Sequence, residues 1–94
     1  MSEEQRFESV WDALEDTPEA AESMKLRAEL MLAAQQHVRS LDVSQSEAAR
    51  RLGVTQPRLS DLLRGKIDKF SLDALVDLLG RAGKRITVKI RDAA

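Results

Sequence analysis

The sequence predicts an all-α domain that closes on a single C-terminal β-strand. Two observations carry this. Four segments place apolar residues at helical spacing, opened in turn by Thr17, Ser44, Thr55 and Ser71, and the last three are stopped by Gly53, Gly65 and Gly83. The run Arg85-Ile86-Thr87-Val88-Lys89-Ile90-Arg91 then alternates polar and apolar residues strictly, which is the period of a half-buried strand. A composition of 43% hydrophobic, 33% charged and 3% aromatic residues in 94 suits one small, mostly helical domain.

Taken in order, Phe7, Val10, Trp11 and Leu14 fall at i, i+3, i+4 and i+7, the stripe of a short amphipathic helix. Thr17-Pro18-Glu19 is a start signal, with a cap, a proline at the first helical position and an acid in the first turn. From there to about Leu41 nothing breaks a helix. Met24, Ala28, Met31 and Val38 share one side of it, with Leu26, Leu30 and Ala33 beside them. At about 1.5 Å per residue that helix is long for so small a domain, and its first half is expected to run past the core. Ser44-Gln45-Ser46-Glu47 matches a capping box, in which Glu47 reaches back to the Ser44 amide. Ala48, Ala49 and Leu52 form the inner face, and Gly53 the left-handed stop. Thr55 caps a third helix to about Arg64, with Val54 and Leu59 as a hydrophobic staple, although Pro57 disfavours helical geometry at Gln56. In the fourth helix Phe70 and Leu75 form the staple, and Leu72, Leu75, Val76 and Leu79 the buried stripe.

A lone strand leaves its backbone groups unpaired. The reading favours the same strand from a second copy as its partner, in an antiparallel ribbon across a two-fold axis, with Ile86, Val88 and Ile90 as dimerisation residues. Pairing with residues near Phe7 to Trp11 is the competing arrangement.

Charge is divided along the chain. Residues 1–44 hold ten acidic and four basic side chains, residues 45–94 six acidic and eleven basic, for a net of −1 over the whole. The second half suits a polyanion, the first a basic partner or plain solvent. With no cysteine there is neither a disulfide nor a thiolate metal site. His37 has no nucleophile or metal-ligand partner near it in sequence, and no phosphate-binding glycine loop or H-E-x-x-H motif occurs. No enzymatic activity, cofactor or metal is expected. No apolar run spans a bilayer and the polar, acidic start is unlike a signal peptide, so no membrane association and a cytoplasmic location are expected.

The informative segment is Gln45 to Arg64, QSEAARRLGVTQPRLSDLLR. A helix-turn-helix needs a small residue where its helices touch, a glycine in the turn and apolar anchors on the second helix. Ala49, Gly53, and Val54, Leu59 and Leu62 meet those demands. The expected division is therefore 1–16 an N-terminal segment, 17–83 the helix-turn-helix domain and 84–94 a dimerisation strand.

With Ser44-Gln45, Ala49, Gly53-Val54-Thr55-Gln56, Leu59-Ser60-Asp61-Leu62 and Gly65-Lys66, the chain resembles the Xre/Cro repressors of the lambda-repressor-like fold. Within them it is most similar to small antitoxins of the HigA kind, through Phe7 to Leu14 and Thr55 to Leu75. The resemblance implies a sequence-specific transcriptional repressor, probing a palindromic double-stranded operator as a homodimer and autoregulating its own toxin–antitoxin operon. It also implies a basic HigB/RelE-like ribonuclease toxin as partner, with the acidic first half as complementary surface and Phe7, Val10, Trp11 and Leu14 as the toxin-binding stripe. Phe7 and Trp11 capping the protein's own core is an equal reading of that stripe, and a stand-alone repressor without a toxin is the alternative function.

On a helical wheel Leu59, Leu62 and Leu63 fall inward, Pro57, Ser60, Asp61 and Arg64 outward, and Gln56 and Arg58 on the flanks. The first turn of such a helix enters the major groove. Gln56 suits adenine, Arg58 guanine or else a phosphate, Asp61 a cytosine amino group and Pro57 a thymine methyl. Gln45, Thr55, Ser60, Arg64, Lys66 and Lys69 are the expected phosphate contacts. Arg50 and Arg51 are expected in solvent or near a phosphate. The resemblance gives the same roles to Gln45, Gln56 and the lysines after the helix, whereas Pro57 departs from the glutamine or serine common in lambda-type repressors.

Overall fold

The computed structural model describes residues 17–93. The helix expected over Arg6–Leu14, with Phe7, Val10, Trp11 and Leu14, lies outside the described residues. Four α-helices follow in order: α1 (Pro18–Ser40), α2 (Gln45–Leu52), α3 (Gln56–Leu63) and α4 (Leu72–Arg81), with a 3-10 turn at Ile67–Lys69 between the last two.

Helix α1 starts where its signal stands: the Thr17 hydroxyl accepts the Ala20 amide at 3.2 Å, and Pro18 occupies the first turn, where its missing N–H has no helical partner to lose. Its buried residues, Leu30, Met31, Ala34 and Val38, all lie in the second half. Met24 is half-buried and Ala28 exposed, so the first half does run past the core. The buried face is centred on Leu30–Ala34 rather than on the Met24–Ala28 side, and α4, α3 and the 3-10 turn are the elements that pack on α1.

Helix α2 opens on Ser44, whose hydroxyl accepts the Glu47 amide at 3.1 Å. The other half of the expected capping box is not formed, because the Glu47 carboxylate turns to Arg50 and Arg51. Ala48 and Ala49, at 0% and 3% exposure, let the neighbouring backbone approach closely. Gly53 then reverses the chain at φ 68° and ψ 33°. Its amide donates to Arg50 O, and the Val54 amide to Ala49 O at 3.0 Å. From α4, Arg81 Nη1 donates to both Leu52 O and Gly53 O at 3.2 Å. A Cβ at residue 53 would meet that nitrogen at 3.4 Å, an ordinary contact, so it is the left-handed backbone that calls for glycine.

Helix α3 begins at Gln56 despite Pro57, since Thr55 provides the extended residue and caps the Arg58 amide at 3.2 Å. Leu59 and Leu62 are buried to 1% exposure. The Gln35 side chain of α1 donates to Leu62 O at 2.8 Å, tying off a carbonyl at the end of α3. Phe70, fully buried, follows the 3-10 turn, and the Ser71 hydroxyl caps α4 through the Ala74 amide. The buried face of α4 is Leu75, Leu78 and Leu79, with Leu72 half-buried and Val76 exposed. Val76 was expected inside. Leu78 takes its place, moving the centre of the face round the helix and away from Val76 where α4 meets α1.

Beyond Gly83 the expected strand does not form. No strand occurs among the described residues, and 84–93 run without regular structure. Ile86 packs on the core, whereas Val88 and Ile90 are 69% and 90% exposed. A strand is defined by a ladder, and the described residues of one chain offer no partner edge. Among the described residues no helix is long and apolar enough to cross a membrane.

Two substitutions test these constraints by urea unfolding. Gly53→Ala is expected to lower stability by about 1–2 kcal/mol, the cost of a left-handed non-glycine residue. Gln35→Ala is expected to lower it by about 0.5–1.5 kcal/mol, by removing one hydrogen bond to Leu62 O, which keeps the Gly65 amide at 3.0 Å.

Candidate nucleic-acid interface

The turn at Gly53 and the buried Leu59 and Leu62 fix α3 against α2 and α1, leaving its other side to solvent. The first turn of that side presents Gln56 and Pro57, both exposed. Thr55 is exposed but already engaged, its hydroxyl holding the Arg58 amide. Ser60 is half-buried. Gln45, exposed at the first position of α2, stands at the start of the neighbouring helix. Neutral side-chain donors thus stand at two helix N-termini, whose dipoles favour an anion, although Pro57 has no N–H and Thr55 and Ser44 already cap the Arg58 and Glu47 amides.

Two of the four expected base readers are otherwise occupied. Arg58 is folded back: Nη1 donates to Lys69 O at 2.7 Å and the guanidinium lies 4.0 Å from the centre of the Phe70 ring. Such stacking on an aromatic face is a favourable resting place for a planar cation. Asp61 stands between two lysines, with Lys66 Nζ at 3.7 Å and Lys69 Nζ at 3.8 Å. The Lys66 amide also donates to Asp61 O at 3.0 Å. The lysines expected at phosphates thus sit beside α3, in contact with its carboxylate. Arg64, the C-cap of α3, is exposed.

On α2, Arg50 Nε lies 3.0 Å and Arg51 Nε 2.8 Å from the Glu47 carboxylate. Hydrogen bonds first from Arg50 and then from Arg51 hold the Glu47 carboxyl down, from 4.5 to about 2. The same pairing raises the Arg50 guanidinium above its ordinary value. Both arginines therefore face solvent with one carboxylate between them.

Three side chains that sequence reasoning did not single out complete the frame. Gln35 and Arg81 tie α1 and α4 to the carbonyls that end α3 and α2, and Asp77 holds Arg81 at 2.9 Å. The i, i+4 spacing of Asp77 and Arg81 was visible, but nothing in the sequence pointed to a carbonyl nearly thirty positions away. The expected toxin-binding residues Phe7, Val10, Trp11 and Leu14 lie outside the described residues. Ile86, Val88 and Ile90 lie in the tail, which lines an open groove together with Leu26 and Leu30 of α1.

The sequence profile of a helix-turn-helix domain matches residues 13–91. The match spans α1 to α4 and most of the tail. No curated protein matches the chain significantly.

The Glu47 pairing yields a pH prediction. Because its folded value is lowered, the stabilisation is present above 4.5 and is lost as pH falls toward about 2. The melting temperature is expected to decline across that window, and to decline less in Glu47→Gln. Equal declines in the two proteins would show that the pairing does not contribute.

Proposed function

This chain belongs to the helix-turn-helix domain family, which makes it a DNA-binding regulator, and we propose that it is a sequence-specific repressor acting as a homodimer. The observation that carries the reading is the exposed first turn of α3, with Gln56 and Pro57 presented on a helix whose other face is locked into the core. A helix so held enters the major groove by its N-terminal end, where a glutamine pairs with adenine and a proline packs on a thymine methyl. Gln45, Thr55, Ser60 and Arg64 flank that turn as phosphate contacts. The reading assigns no catalytic activity.

The dimer rests on the tail. Its alternation of Ile86, Val88 and Ile90 is that of a strand, yet Val88 and Ile90 stand in solvent within one chain. A second copy's tail, running antiparallel, would pair the backbone and cover those side chains together.

The resemblance to HigA-type antitoxins of the Xre class supports the finer reading. The chain would then restrain a basic, RelE-like ribonuclease toxin through its acidic first half and repress the operon that encodes both. The ten acidic side chains of residues 1–44 give such a partner electrostatic complementarity.

Selection from random duplexes is expected to return a two-fold site with half-sites about one turn, ~34 Å, apart. Gln56→Ala is expected to weaken that site by about 1–3 kcal/mol and to relax preference at one base pair per half-site. Val88→Asp combined with Ile90→Asp is expected to give a monomer by sedimentation and to abolish the two-fold footprint. Co-purification with the product of an adjacent reading frame, with rescue of growth, is expected for an antitoxin. Repression without any such partner would leave a stand-alone repressor.

A further inference from the structure

Resting on the DNA-binding reading, we propose that Asp61 is a specificity-determining residue of the interface: held between Lys66 and Lys69, its carboxylate suppresses binding to arbitrary DNA, while Arg58 positions the turn that carries both lysines.

Asp61 shares the outer face of α3 with Pro57, one helical turn away, and so looks toward the surface that DNA would meet. Its side chain retains 23% exposure, and the two lysines 35% and 51%. The ion pairs are loose, at 3.7 and 3.8 Å, so a phosphate can compete for either lysine. On an arbitrary duplex, each lysine leaving for a phosphate strands the carboxylate beside the polyanion, which opposes binding. In a well-seated complex, contacts from Gln56 and its neighbours supply the energy to bear that opposition. The penalty is largest where binding rests on lysine–phosphate contacts alone, and removing the carboxylate relieves it most there. That is the non-specific mode, which depends almost wholly on lysines and arginines.

Arg58 keeps the arrangement in place. Its guanidinium is bound at once to the Lys69 carbonyl and to the ring of the buried Phe70, and the Lys66 amide is bound to the Asp61 carbonyl. The segment 66–69 is thereby pinned to α3 at both ends. A guanidinium used as a brace is not free to pair with guanine, so Arg58 acts through the lysines.

The test measures affinity for a short duplex of arbitrary sequence across about 50–200 mM salt, for the wild-type chain and Asp61→Asn. The variant is expected to bind that duplex about threefold to tenfold more tightly and to steepen the log–log salt slope by about one, as one more phosphate is neutralised. Its preference for the selected operator over that duplex should fall. In a Lys66→Met, Lys69→Met background the same substitution is expected to leave the salt slope unchanged, because no lysine remains for it to release to a phosphate. Arg58→Lys, which keeps the charge but not the planar stack, is expected to weaken binding to every duplex alike. An unchanged salt slope and unchanged arbitrary-sequence affinity in Asp61→Asn would overturn the proposal, as would a loss confined to one operator base pair, which would make Asp61 a base reader. Absence of DNA binding by the wild-type chain at low salt would instead remove the DNA-binding reading on which the proposal stands.

Discussion

The reversal at Gly53 is the constraint on which the rest of the molecule depends. With φ at 68°, it turns the chain between two helices of eight residues each, too short to be stable alone. They persist because the turn delivers Leu59 and Leu62 into the same core that holds Ala48, Ala49 and Leu52. Arg81 reaches from α4 to the two carbonyls at this point, so the C-terminal end of α2 is satisfied by the element that also covers α1. The turn, the small residues and the last helix are thus one device. A bulkier residue at 49 would separate the helices, and a residue with a side chain at 53 would strain the left-handed backbone.

What was legible in the sequence was local. Thr17, Ser44, Thr55 and Ser71 each cap the helix they were expected to cap, because a cap is a contact over three residues and its partner is always the same amide. Gly53 and the buried anchors on either side of it were legible for a similar reason. Departures arose where a side chain had a choice of partners. Glu47 could bond the Ser44 amide or two arginines, and the charged pair prevailed. Val76 and Leu78 both fit a helical stripe on α4, and the packing against α1 selected Leu78. The tail shows the same limit in another form. Its alternation is plain, but a strand exists only with a partner, and one chain's described residues supply none.

The candidate interface was legible in outline and less so in its electrostatics. The exposure of Gln56 and Pro57 follows from the wheel once Leu59 and Leu62 are inside. The folding back of Arg58 does not, since it depends on Phe70 and Lys69, twelve and eleven positions further on, meeting the end of α3. The helical wheel places Arg58 on a flank, and only the folded chain shows the ring on which it rests.

That same electrostatic structure reconciles a net charge of −1 with a surface for a polyanion. The basic half is not simply basic. Of its cations, Arg50 and Arg51 share Glu47, Lys66 and Lys69 share Asp61, and Arg81 is held by Asp77. Each carboxylate stands within one helical turn, or one short loop, of the charges it tempers. These five cations are tempered locally, while residues 45–94 as a whole keep eleven basic against six acidic side chains, so an attraction for a polyanion remains. In the proposed reading, discrimination would come from short-range contacts at Gln56 and Pro57, made only when the helix is fully seated. In the proposed dimer those contacts would be doubled across a two-fold axis, which is how so small a reading surface would reach useful selectivity, and the alternating tail is the segment that would pair.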